Sequence, residues 1–114
     1  GMSLLVSASA IELEGEHASF VRAPGKATAV ECVFCPHFGT RVLHRGRGED
    51  SKSSVKAGSL DTKSWLHPVG HIWVKSAQPW VQLAGLLYDR QPEDDYAALV
   101  AAFQRHQGAT TTAP

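Results

Sequence analysis

The sequence predicts a mainly β domain: short antiparallel strands, long loops and one C-terminal helix. Three observations predict it. Apolar residues come in short runs with period two, most clearly over Ala18–Arg22 and Ala27–Cys35. Turn residues separate those runs, as in Ala23-Pro24-Gly25-Lys26 and Pro36–Gly39. Near the end a single stretch changes to helical period, with Tyr96, Leu99, Val100 and Phe103 at i, i+3, i+4 and i+7.

Leu4-Leu5-Val6 reads as the first strand, and Ser7–Glu12 as one turn of helix capped by Ser7 or Ser9. Ala18–Arg22 is the second strand. In Ala27–Cys35 one face carries Thr28, Val30, Cys32 and Phe34, and the other Ala29, Glu31, Val33 and Cys35. The Cys32 face is the more apolar by composition. Pro36–Gly39 turns the chain, and Arg41–His44 returns as a hairpin partner. Gly46–Ser54 is polar and glycine-containing, so it reads as a loop. Ser54–Ala57 is strand-like, and Gly58–Gly70 is irregular. His71-Ile72-Trp73-Val74 is the strongest β run of the second half, followed by an extended Pro79-Trp80-Val81.

The helix is expected over Glu93–Gln107. Pro92 suits its first turn, Glu93–Asp95 its positive end, Arg105 and His106 its negative end, and Gly108 its stop. A single domain is expected over 2–108, with 109–114 a flexible tail.

The chain has 114 residues with 43% hydrophobic content, enough for one packed core. Lys+Arg and Asp+Glu are both 11, so net charge does not argue for nucleic acid or an anionic membrane. No apolar run reaches the length of a membrane span, and no secretory signal is read at the start. Gly1 ahead of Met2 reads as a processing remnant. Two cysteines without an export signal suggest a reducing compartment, with the cytoplasm as the default. No G-x-S-x-G, P-loop or G-x-G-x-x-G is present, which leaves serine-hydrolase and nucleotide-binding readings without support.

Cys32 and Cys35 form a C-x-x-C pair. Residues three apart on a strand point to opposite faces, and Val33-Phe34 is a poor turn, so Cys32 reads as a small buried hydrophobe rather than a zinc ligand. Cys35 enters a turn that carries the signals of a zinc knuckle, Pro36 and Gly39, but Phe38 stands where a second sulfur would be. Cys35 is therefore an orphan ligand and is expected to be metal-free; His37 lies within the same turn. His67 and His71 form H-x-x-x-H, but Pro68 and Gly70 argue against the helix such a metal pair needs. Arg41, Arg45, Arg47, Lys52 and Lys56 make one stretch basic, opposed by Glu49 and Asp50. It reads either as a site for a small anion or as a solvated loop. Trp65, Trp73 and Trp80 are either core residues or a ligand wall.

Two stretches carry a resemblance. FCPHFGTRVLHRG (Phe34–Gly46) resembles the FCPxCGTRL segment of the glutathione-dependent formaldehyde-activating (GFA) family. AGSLDTKSWLHPVGHIWVKSAQPW (Ala57–Trp80) resembles its G-x-LD…P…HIWV…PW segment. LLVSASAIELEGEHASFVR (Leu4–Arg22) is similar to the stretch before them.

The resemblance implies a zinc-ribbon-derived β-tent fold. It also implies carbon–sulfur lyase chemistry, the joining of glutathione and formaldehyde into S-hydroxymethylglutathione. Two zinc sites, built from an early C-x-C, a C-x-C-x-x-C and a later C-x-x-C, are implied for intact relatives. Here only Cys35 matches one of those ligands, so the reading is a zinc-depleted member, inactive or incomplete, with no cofactor. The alternative is a non-catalytic binding or self-association module. Its cleft residues are expected to be Arg41, Arg45, Arg47, His71, Trp73 and Trp80, its ligand glutathione or another small anionic thiol, and its assembly a homodimer.

Overall fold

The computed structural model describes residues 1–25, 29–46 and 52–112. The chain divides into two compact units, Gly1–Lys63 and Ser64–Pro114, each described by itself. The division falls inside the segment read as irregular.

The first unit is one antiparallel sheet. Its strands are β1 (Ser3–Ser7), β2 (Ala18–Arg22), β3 (Val30–Phe34), β4 (Arg41–Arg45) and β5 (Lys52–Lys56), in spatial order β1-β5-β4-β3-β2. Mainly β architecture is thus what the chain adopts; the runs read as strands in the first half are strands, but β5 starts at Lys52, inside the stretch Gly46–Ser54 read as a loop, and Ala57 belongs to the turn after it. Helical turns of 3-10 type follow β1 at Ala8–Ala10 and β5 at Ala57–Ser59. Ser7 occupies the cap position of the first without a side-chain hydrogen bond, so its hydroxyl is not what starts the turn.

Register decides which face is buried. Val33 lies between Ser19 of β2 and Leu43 of β4, and Leu43 lies beside Val55, which faces Leu4 of β1. This row and its neighbours hold the buried residues: Val33 and Ala57 at 0% exposure, Leu43 at 2% and Ala29 at 5%. The expectation that the Cys32 face is the inner one is therefore corrected. Cys32 is half-buried, and its cross-strand neighbours are Phe20, 65% exposed, and His44. Composition of one strand favoured the Cys32 face; the strands beside it supply bulk to the Val33 face instead.

Ser53 shares the buried face at 1% exposure, and its hydroxyl has no hydrogen-bond partner among the described residues. An unsatisfied buried hydroxyl is destabilising by roughly 1–3 kcal/mol. Ser53→Ala is accordingly expected to hold or raise the unfolding free energy by up to ~1 kcal/mol; a clear loss in urea denaturation would refute this.

The second unit contains a two-stranded parallel pair, β6 (Gly70–His71) and β7 (Leu86–Leu87), and the helix α1 (Ala97–Thr112). The strand expected over His71–Val74 ends at His71. Trp73 adopts left-handed φ of 58°, and a 3-10 turn runs over Val74–Ser76. The backbone is held there by Val74 N–H to Tyr88 O at 3.0 Å and Ser76 N–H to Trp73 O at 3.1 Å. Pro79-Trp80-Val81 is a turn rather than an extended piece, closed by Val81 N–H to Gln78 O at 3.0 Å.

The helix starts four residues later than its expected Glu93. Asp95 and Tyr96 have φ of 52° and 69°, which no right-handed helix accommodates. Asp94 makes the start instead: its carboxylate accepts from the Ala98 N–H at 2.9 Å, and its carbonyl from the Ala97 N–H at 3.1 Å. The acidic residues thus precede the first turn rather than lie in it, and Pro92 precedes them. At the far end Gly108 does not stop the helix, which continues through Thr112, so Arg105 and His106 are not in its last turn.

Candidate functional site

The first unit carries a shallow concavity of about 360 Å³ on the Cys32 face of the sheet. It is lined by Phe20 and Arg22 of β2, Cys32 and Phe34 of β3, and Gly39 and Arg41. Strand pleat explains this set. Phe20 faces Cys32 directly, Arg22 faces Val30 and Arg41 faces Phe34, so the side chains alternate onto one surface. A register irregularity at Val33/Phe34 sets Arg41 beside Phe34.

Arg22 and Arg41 make no hydrogen bond or ion pair among the described residues. Phe20 and Phe34 wall the concavity with apolar surface. His44 lies beside Cys32 on the same face, with its Nε2 buried and without a hydrogen-bond partner among the described residues. Burial pushes its pKa below the ordinary 6.5, and the positive charges of Lys56, Arg22 and Arg41 push it further the same way. The surface is therefore cationic around a neutral imidazole, which suits a small anion with an apolar middle.

Arg45 does not join this surface. It faces Glu31 across the strand pair on the Val33 face and holds it with two bonds, Nε to Oε2 at 2.9 Å and Nη2 to Oε1 at 3.1 Å. Those bonds lower the Glu31 pKa from its ordinary 4.5. Both shifts act in one direction. The unfolded chain binds more protons than the folded one below about 6.5 at His44 and below 4.5 at Glu31. Stability is therefore expected to be full above pH 6.5 and to fall as pH drops from there toward the folded His44 value, with a slope of up to ~1.4 kcal/mol per pH unit. Urea titrations from pH 7.5 to 5 test this: His44→Leu flattens that limb, and an unchanged limb contradicts the assignment.

The other residues named from sequence lie elsewhere. His71 is in β6, while Trp73 and Trp80 are 46% and 78% exposed in the second unit. Arg41 and these three are thus in different units. Arg47, Glu49 and Asp50 lie outside the described residues. Trp65 is also not a core residue: it is 40% exposed and meets Phe103 edge-on with centroids 6.4 Å apart. His67 stacks on His106 at 4.1 Å rather than sharing an ion with His71. A larger hollow of about 470 Å³ in the second unit is lined by Tyr88, Asp89, Arg90, Gln91, Glu93 and Asp94, with acidic side chains in excess and none of the sequence-named residues.

The Cys35 turn keeps its knuckle backbone. Cys35 N–H donates to Thr40 O at 2.9 Å, Gly39 N–H donates to Cys35 O at 2.8 Å, and Gly39 has φ of 75°. Its donor set does not suit zinc, however. Phe38 is 86% exposed where a second thiolate would stand, and His37 Nε2 lies 3.0 Å from Glu16 Oε2. Among the described residues no group of three or more His, Cys, Asp or Glu is placed to hold a metal ion. Structural zinc wants four such donors. No helix among the described residues is long and apolar enough to cross a membrane.

Sequence reasoning missed Arg22, Phe20, Phe34 and His44 as site residues, and named Gly39 only for the Cys35 turn. The signal was available in part: alternation over Ala18–Arg22 sets Phe20 and Arg22 on one face. Its pairing partner was not.

Neither the comparison with curated proteins nor that with solved structures finds a match. A family model, described as glutathione-dependent formaldehyde-activating enzyme, matches residues 1–76, which includes every strand of the first sheet and the whole Cys35 turn. The chain belongs to the glutathione-dependent formaldehyde-activating enzyme family.

Proposed function

We propose that this chain is a member of the family that binds glutathione, or a small anionic thiol like it, without zinc-assisted addition to formaldehyde. The observation that carries the reading is the concavity in which Arg22 and Arg41 flank Cys32 between two phenylalanines. The family description supplies the ligand class. The donor set around Cys35 supports the absence of a zinc centre in this stretch of chain. The two free thiols suit a reducing compartment such as the cytoplasm.

Removing a charged hydrogen bond to a carboxylate weakens binding by about 1.5–3 kcal/mol, tenfold or more. Reduced glutathione is expected to bind the wild type and to lose at least ~tenfold in affinity in R22Q/R41Q. Proton NMR of glutathione with formaldehyde is expected to show adduct formation no faster than without protein. Acceleration that depends on Cys35 would refute the reading.

A second reading, self-association into a homodimer, is favoured by sheet order: β1 and β2 are the outer strands, each paired on one side only within the sheet. Sedimentation velocity showing a monomer at high concentration would remove it.

A further inference from the structure

We infer that Cys32 is a thiol–disulfide exchange site for small disulfides that carry carboxylates at both ends. The inference rests on the reading that the concavity receives a small anionic thiol, and concerns what its oxidised form does there.

The geometry places sulfur at the centre and cations at the corners. β3 lies between β2 and β4, and Cys32 sits midway between Val30, which faces Arg22, and Phe34, which faces Arg41. Arg22 and Arg41 are thus four β3 residues and two strand spacings apart, on a diagonal that crosses Cys32. At about 3.4 Å per residue and 4.8 Å per strand, their Cα atoms are roughly 17 Å apart. Both residues line the same concavity, and their long, flexible side chains can reach toward one another across it. A tripeptide spans about 10 Å. A peptide-sized thiol with a carboxylate at each end and sulfur in the middle can therefore meet both guanidinium groups while its sulfur lies over Cys32. Neither arginine has an acidic partner among the described residues, and Cys32 is a free, half-buried thiol in the lining.

The step is a simple exchange. Cys32 loses its proton to water, and its thiolate attacks one sulfur of the bound disulfide. The S–S bond breaks, the Cys32 mixed disulfide forms, and the other half leaves as a thiolate that takes a proton from water. The number of disulfide bonds is unchanged, so no outside oxidant is consumed. Cys35 cannot resolve the product. Three residues along an extended chain place its Cα ~10 Å from that of Cys32, beyond the ~7 Å limit for a bridge. The mixed disulfide therefore accumulates until a second small thiol removes it.

The same face contains a reporter. His44 neighbours Cys32, and its ionisation is held down by burial, Lys56, Arg22 and Arg41. A carboxylate-bearing adduct offsets the two arginines, so the His44 pKa should rise when Cys32 is capped.

Incubation with glutathione disulfide, followed by intact mass and peptide mapping, tests the inference. The expected result is one glutathionyl group on Cys32, unchanged in Cys35→Ser, absent in Cys32→Ser and reversed by reductant. The rate should exceed that with neutral 2-hydroxyethyl disulfide by ~tenfold or more, and R22Q/R41Q should abolish that preference. NMR titration should show the His44 pKa raised in the adduct. Labelling at Cys35, or equal rates for the anionic and neutral disulfides in wild type, overturns the inference. Calorimetry of reduced glutathione with Cys32→Ser separates the two claims. Binding without any adduct in wild type ends the exchange site alone; no binding and no adduct ends both.

Discussion

Gly85→Ala is expected to remove most of the stability of the second unit. Gly85 has φ of 86°, and a β-carbon built there would lie 2.5 Å from the Val69 carbonyl oxygen and 3.1 Å from its carbon. Both are backbone atoms, so no side chain can swing away. That carbonyl also accepts the Leu86 N–H at 3.1 Å, the bond that leads into the β6–β7 pair. Overpacking costs about 1–3 kcal/mol and a left-handed alanine about 1–2 more. All three tryptophans lie in the second unit, so their fluorescence in urea reads its unfolding directly. An unfolding midpoint for Gly85→Ala equal to that of the wild type would show that the close approach does not matter.

Leu43→Ala is expected to have the largest effect in the first unit. Leu43 is 2% exposed, pairs with Val33 on one side and Val55 on the other, and sits on the middle strand of the sheet. Truncating such a leucine costs about 2–5 kcal/mol, partly for the lost burial and partly for the cavity left. A sheet whose fully buried side chains are few has little else to lose. Amide exchange over β3, β4 and β5 is the suitable measurement, because this unit contains no tryptophan. Protection that survives in those strands would show that the row through Leu43 is not what holds the sheet.

These positions indicate what could be read from sequence. Strand existence was legible, because period-two alternation and the Pro-Gly turns are local signals. Which face is buried was not. Val33 is inside because Leu43 and Val55 lie beside it, and pairing across β3, β4 and β5 is not written in any one strand. The helix was legible in its period but not in its start. Asp94 offers both a capping carboxylate and a carbonyl, while Asp95 and Tyr96 take left-handed backbone that their side chains do not advertise.

The candidate site divided in the same way. The Cys35 turn was legible because Pro36 and Gly39 fix its backbone. Arg41 was named as a possible anion contact, and the structure finds it lining the concavity. Arg45 was named with it, but one strand-face apart it is held by Glu31. Arg22 was overlooked because its place beside Val30 depends on the β2–β3 register. Cys32 was read as a core residue because its own strand looked apolar there; its neighbours in space are an exposed phenylalanine and a histidine.

The most direct test of the account is calorimetric titration of reduced glutathione into protein whose zinc content has been measured, with and without a chelator. The account predicts zinc well below one per chain, one glutathione bound, affinity unchanged by the chelator, and loss of at least ~tenfold in R22Q/R41Q. Stoichiometric zinc, removed together with glutathione binding by the chelator or by Cys35→Ser, would contradict it.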